Sequence, residues 1–417
     1  MRYFWILTLL TLCMPLASSA QIDVEDYRQS VVEYSYTLKK SSVTIDYAIE
    51  AYETKRSDFL PSLTLSGDFV QQFRNSEGQE SWSFYLQPQI AQTLYSGGSV
   101  RAESKKAALG VDIAELDAQY NLLDVCYTAD YYYYSLSAMK SYLYAVDQYV
   151  KIIQSLQEVV LLRYNEGYIS KGDLLMIETR LSEALYQQIA IGEDYTIALQ
   201  KFNILRGYNA EEEVQQIPVD IPSVELPKRV TLEELLALRP DFLASQLTAD
   251  QAGYTVEVTR AAYNPTLSIG VAGSWQPQMP NVNGSTIMDG SLFVKLSASL
   301  FHFGERRRAM NASRALHENY KLSTLALIDD IRLEESNMWA TIIDSRAQLE
   351  AAKRALIIGS ENLEISTFAY SEGLTTILDV MQAQISWLQL YGNSIWSEFN
   401  FLVSISAYRR ITATQDL

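Results

Sequence analysis

The residues best placed for chemistry form two matched sets. Tyr164, Glu166, Gly167 and Asp173 recur as Tyr370, Glu372, Gly373 and Asp379, and every pair is separated by 206 positions, as 370 is from 164. Carboxylates and phenols in such sets offer hydrogen bonds, mutual repulsion and attraction for cations rather than bond making. The glycines permit a positive φ between two helices. Asp379 lies about one and a half turns after Gly373, and it has a plain structural use as the cap of a helix N-terminus. Nothing else in the chain offers catalysis. The two histidines, His302 and His317, are too far apart for an i,i+4 metal pair, and no nucleophile motif or phosphate loop is present. We therefore expect no enzyme, no cofactor and no metal site.

The bulk composition narrows the partners. The chain has 417 residues, 48% of them hydrophobic, which rules against a disordered protein. A formal charge of −17 argues against nucleic acid and anionic lipid headgroups as main partners. The stretch MRYFWILTLLTLCMPLASSA places Arg2 before an apolar run and small residues after it, so residues 1–20 read as a secretory signal cleaved after Ala20. Leu12 before Cys13 is the wrong residue for lipidation. Losing Cys13 leaves Cys126 without an intrachain partner. Beyond the signal there is no run of about 18 uncharged apolar residues, so the chain is either soluble after export or enters a membrane by strands.

The elements that must position the two sets are themselves duplicated. LYSGGSVR from Leu94 and LFHFGERR from Leu300 share the offset of 206. We read a first repeat over 21–208, a linker over 209–238 marked by Pro218, Pro222 and Pro227, and a second repeat over 239–417. Each repeat runs helix, strand, strand, long helix, turn, helix. Strands are expected at about 62–73, 82–93, 266–276 and 290–301, from their period of two. Pro61 and Pro265 mark the helix–strand junctions. One face carries Leu63, Leu65, Phe69, Trp82, Phe84, Leu86, Leu267, Ile269, Val271, Trp275, Leu292, Val294 and Leu296, and the alternate positions are mostly polar. Hairpin tips are expected at about 164–173 and 370–379. The helices leading to them are long: 101–163 holds no proline and would span about 95 Å. Leu378, Met381, Ile385 and Leu388 mark a heptad seam on the last helix.

Strands of about ten residues, tilted by about 45°, can cross a bilayer with an apolar face to lipid. Four strands cannot close a barrel, and an open edge is not stable in lipid. Several copies must therefore combine, and three would supply twelve strands.

The ordered set FLPSLTLSG, YNPTLSIGVAG, GGSVR, FGERRR, ALRPDF, YNEGYISKGDLL and YSEGLTTILDV resembles the TolC-like outer-membrane efflux proteins over nearly the whole chain after the signal. The resemblance implies a mainly α fold with a membrane β-barrel portion: a long antiparallel α-helical barrel and four β-strands per protomer, completing a 12-stranded barrel in a homotrimer. It implies residence in the outer membrane, spanning into the periplasm. The implied partners are a periplasmic adaptor (membrane fusion protein), an inner-membrane RND, ABC or MFS transporter, and outer-membrane lipid. The implied role is the exit duct of a tripartite efflux system. Type I protein secretion and a secreted helical scaffold without a pore are the competing readings. By the same resemblance the hairpin tips form the periplasmic entrance, and Glu166, Gly167, Glu372 and Gly373 lie where an adaptor grips. Asp379 lines the narrowest ring, with Gln382 where relatives often carry a second aspartate, and Tyr370 holds the entrance shut through Asp173. The first repeat departs from the pattern: EYSYTLKKS stands where the second has ALRPDF.

Overall fold

The computed structural model describes residues 22–73, 81–212, 225–276, 287–301 and 303–414. The signal segment 1–20, linker residues 213–224, the loop 277–286, His302 and the side chain of Trp82 lie outside what is described. The chain runs α1 Val24–Tyr34, α2 Tyr36–Ser57, β1 Ser62–Gln72, β2 Ser81–Ser96, α3 Ser99–Asn165, α4 Lys171–Leu205, α5 Leu232–Leu238, α6 Pro240–Ala261, β3 Thr266–Gln276, β4 Ile287–Ser297, α7 Glu305–Ser371 and α8 Ile377–Thr412. The order α2-β1-β2-α3-α4 thus returns as α6-β3-β4-α7-α8. The two long helices α3 and α7 are each 67 residues. The strands differ in extent from the sequence reading: β2 continues to Ser96 rather than 93, and β4 spans Ile287–Ser297 rather than 290–301. Alternation persists through Leu300, but pairing with β3 ends at Ser297, where β3 begins at Thr266.

The chain divides into two compact units. One comprises Met1–Ser35, Leu123–Arg229 and Glu335–Leu417; the other comprises Tyr36–Leu122 and Val230–Glu334. The first holds the hairpins α3–α4 and α7–α8, and its core is helix against helix. Near the hairpin tips, Val146, Ile153, Val160, Ile177, Val380 and Trp387 are buried together. A second cluster ties in α1: Tyr27 stacks on Phe202 with ring centroids 3.9 Å apart, and its hydroxyl donates to the Phe202 carbonyl at 3.0 Å. The tyrosine run 131–134 helps here, because Tyr133 is buried and donates to the Ile22 carbonyl at 2.9 Å. Arg28 of α1 donates through Nε and Nη2 to Asp130 at 3.0 and 2.9 Å, and Ser406 of α8 donates to the same carboxylate. A carboxylate this deep is costly unless paired, and burial pushes its pKa up against the pull of Arg28.

Over the first turns of α8 the burial is one residue out of phase with the expected seam, while Leu388 of that seam is buried as expected. Ile377, Val380, Gln384 and Trp387 form the deeply buried stripe, whereas Leu378 is exposed and Met381 and Ile385 are half-buried. The helix is apolar on most sides, so periodicity alone does not choose between adjacent stripes.

The second unit holds the sheet. Its four strands are antiparallel in the order β1-β2-β3-β4, so β1 and β4 are its edges. The same unit has a small helical core of Leu235, Phe242 and Ile331. Arg239, in the ALRPDF segment, bridges Asp241 and Glu334 at 2.6 and 2.5 Å. This buried Arg with two carboxylates explains the segment's acidic and basic residues.

Candidate functional site

Two surfaces carry the features that the sequence singles out: the sheet and the hairpin tips. On the sheet, register decides the faces, since residues directly paired across strands point to the same side. Leu63 pairs with Ile90, Phe69 with Phe84, Leu86 with Trp275, Ile90 with Val271, Leu267 with Leu296, Ile269 with Val294 and Val271 with Leu292. Twelve of the thirteen apolar positions named above therefore share one face; the side chain of the thirteenth, Trp82, lies outside what is described. Leu63, Leu65, Phe69, Val271, Trp275, Leu292, Val294 and Leu296 are exposed. Phe84, Leu86, Leu267 and Ile269, on the two central strands, are half-buried between neighbours. Leu65 is 69% exposed, and a continuous patch of such side chains is not tolerated in water. The opposite face carries Ser62, Thr64, Ser66 and Asp68 on β1, with Gln87 and Gln89 on β2 and Lys295 on β4; Val70 and Phe293 interrupt it. Tyr85 donates its hydroxyl to Asp68 across this polar face. Pro61 and Pro265 each stand one residue before a strand, where a missing N–H ends the helix without costing the ladder a donor.

At the tips, the repeated motif resolves into folding chemistry. Gly167 has φ 81° and Gly373 φ 78°. Tyr168 N–H donates to the Arg163 carbonyl at 2.9 Å and Gly167 N–H to the Tyr164 carbonyl at 2.9 Å. Leu374 and Gly373 make the same two bonds to Ala369 and Tyr370, at 2.8 and 3.0 Å. Both α3 and α7 thus end in a Schellman motif, with Glu166 and Glu372 in the C-cap position before each glycine. The following helices begin with capping boxes. Asp173 accepts from the Ser170 N–H at 3.1 Å and its hydroxyl at 2.9 Å. Asp379 accepts from the Thr376 N–H at 3.1 Å and from the hydroxyls of Thr376 and Thr375, each at 2.7 Å. These bonds, Thr376 first and Thr375 next, hold the Asp379 carboxyl below the usual aspartate range. The signature [ST]-x-x-D was present in both repeats as a capping signal.

The residues grouped as a gate lie near one another, but their contacts differ from the expected latch. Tyr370 is buried, and burial pushes its phenol upward in pKa while Arg163 pulls it down. The Arg163 guanidinium lies over the Tyr370 ring, 4.8 Å from its centroid, and donates from Nη2 to the Ser371 carbonyl at 2.7 Å. The Tyr370 hydroxyl has no hydrogen-bond partner among the described residues, and Asp173 is occupied by Ser170 instead. The tips are therefore joined by Arg163, across 208 positions of sequence, and not by a Tyr370–Asp173 bond. Gln382 is exposed one turn after Asp379, so the two share an outward face. Gln384 faces inward, 1% exposed, with neither amide atom partnered among the described residues. Sequence reasoning missed Arg163 because nothing local marks a contact so distant.

Comparison with known proteins gives one consistent result. The family model described as "Outer membrane efflux protein" matches residues 19–206 and 231–390. Outer membrane protein TolC of Salmonella enteritidis is 22% identical over 365 residues, covering 83% of this chain and 72% of its own. Among solved structures, outer membrane protein VceC from Vibrio cholerae superposes with a TM-score of 0.79 at 16% identity, covering 94% of this chain and 96% of that one. The open-state MtrE outer membrane channel of Neisseria gonorrhoeae gives a TM-score of 0.80 at 14% identity, covering 94% and 89%. These structural likenesses carry the fold: a mostly helical chain with a four-stranded sheet.

Proposed function

Because the chain belongs to the outer membrane efflux protein family, we propose that it is the outer-membrane exit duct of a tripartite efflux system. In this reading it passes small molecules outward with a periplasmic adaptor and an inner-membrane RND, ABC or MFS transporter. The observation that carries the proposal is the single apolar face of a sheet whose two edges are open. Four strands cannot close on themselves, and a homotrimer supplies the twelve that could. The polar face, with Thr64, Gln87, Gln89 and Lys295, then lines the lumen.

The hairpin tips are the entrance in this reading. Asp379 and Gln382, on one outward face of α8, surround the narrowest ring, where three carboxylates would attract cations. Asp173 keeps the turn of α4 in place, and Tyr370, with Arg163 on its ring, holds the two tips of a protomer together. Glu166, Gly167, Glu372 and Gly373 present the adaptor-contacting rim. The duplicated arrangement over 21–208 and 239–417, joined by 209–238, gives each protomer two near-equivalent tips to offer an adaptor.

The test is reconstitution of the full chain in planar bilayers with Asp379→Ala beside it. Discrete conductance steps, block by divalent cations, and weaker block in the variant are expected. A water-soluble protein that never conducts would overturn the duct, and unchanged block would overturn the aspartate ring alone.

A further inference from the structure

Where β4 gives way to α7, the second unit contains a cavity of about 490 Å³ with a strongly cationic wall. Arg260 of α6 and Arg306, Arg307 and Arg314 of α7 line it. Among the described residues none of these four, nor the adjacent Arg308, takes part in an ion pair. The nearby Glu305 carboxylate is engaged by the Tyr263 hydroxyl at 3.0 Å. In a chain of net charge −17, such a concentration of unmatched guanidinium groups runs against the whole. Like charges held this close repel, and an anion between them relieves that repulsion. The planar guanidinium fork matches phosphate oxygens in pairs.

The apolar residues beside the cavity identify which phosphate. Leu300, at 94% exposure, lines it together with Phe301, whose ring makes an edge contact with Phe303 at 4.6 Å between centroids. Phe303 is itself 90% exposed. These three follow directly on the apolar face of Leu292, Val294 and Leu296. Going from β4 into α7, the chain therefore presents aliphatic side chains, then exposed aromatic rings, then arginines. That is the order of acyl chain, interface and phosphate in a bilayer leaflet. The corresponding junction of the first half differs: its cavity, about 250 Å³, is lined by a single arginine, Arg101, together with Asp58.

We propose that the Arg260, Arg306, Arg307 and Arg314 pocket binds the phosphate headgroup of an anionic phospholipid from the leaflet on the helix side of the sheet. The acyl chains lie against Leu300, Phe301 and Phe303. Of the two strand–helix junctions, the second carries this site among the described residues. The proposal rests on the sheet residing in the outer membrane.

Full-length protein, delipidated in detergent, is offered phosphatidylglycerol or phosphatidylcholine, and bound lipid is counted by native mass spectrometry. We expect phosphatidylglycerol to be retained about tenfold more strongly. The triple variant R306Q/R307Q/R314Q should lower that retention about tenfold, to the level of phosphatidylcholine, leaving phosphatidylcholine and the oligomeric mass unchanged. R354Q, which removes an arginine elsewhere on α7, should change nothing. Equal retention of the two lipids by wild-type protein would sink the proposal while leaving the membrane reading intact. So would displacement of the lipid by inorganic phosphate at equal concentration, which marks a free-phosphate site. A triple variant with altered oligomeric mass and normal lipid retention would show instead that the arginines pair with carboxylates of another copy. Failure to hold either lipid would count against membrane residence itself.

Discussion

Asp379 has a folding role that any channel role must share. Its carboxylate closes the capping box with Thr376, and Thr375 adds a third bond. Because these bonds hold its pKa below the usual value, the stabilisation is complete above the unfolded-state pKa of about 4 and is lost as pH falls through the lower folded value. Thr376→Ala should cost the start of α8 about 1 kcal/mol, read as faster hydrogen exchange over residues 377–380, and should blunt the loss of protection in acid. Gln384 works in the opposite direction. A buried amide without partners costs about 1–3 kcal/mol, so Gln384→Leu should raise resistance to thermal unfolding in detergent; a lowered melting temperature would mean that the amide is satisfied after all. The paired motif was readable in the sequence, and its glycines were correctly placed at helix turns. Arg163 was not readable, since its contact with Ser371 follows only from the way the two hairpins pack.

At the scale of the element, the sheet was the most legible part, because a period of two admits only two faces and one of them is apolar. Where the strands end was less legible, because pairing and not alternation terminates β4. The buried stripe of α8 was the least legible, because Ile377 and Leu378 are equally apolar and only packing tells them apart. The face assignment makes a sharp prediction. Leu65→Arg should abolish recovery of the protein in the outer-membrane fraction, with a cost of about 2–4 kcal/mol if it lies near the bilayer midplane, while Thr64→Arg should be recovered almost normally. Equal losses for both variants would overturn the lipid-facing assignment.

For the molecule as a whole, the offset of 206 carried most of the fold, since one unit's pattern of helices and strands could be applied to the other. It said nothing of the contacts between the hairpin tips within their unit, or of the reversal of charge beside Phe303, both of which depend on three-dimensional neighbours. The equal length of α3 and α7, at 67 residues each, sets a further expectation. Deleting seven residues from α3 alone should separate Arg163 from Tyr370 by about 10 Å and destroy assembly, whereas deleting seven from both α3 and α7 should restore it. Recovery of detergent-stable oligomer from the double deletion, and not from either single one, is the readout.

The two legs are thus constrained like the sides of a ladder. A lineage that lengthens one must lengthen the other by the same whole number of turns before the tips meet again, so single insertions in these helices are dead ends and changes in reach arrive only in matched pairs.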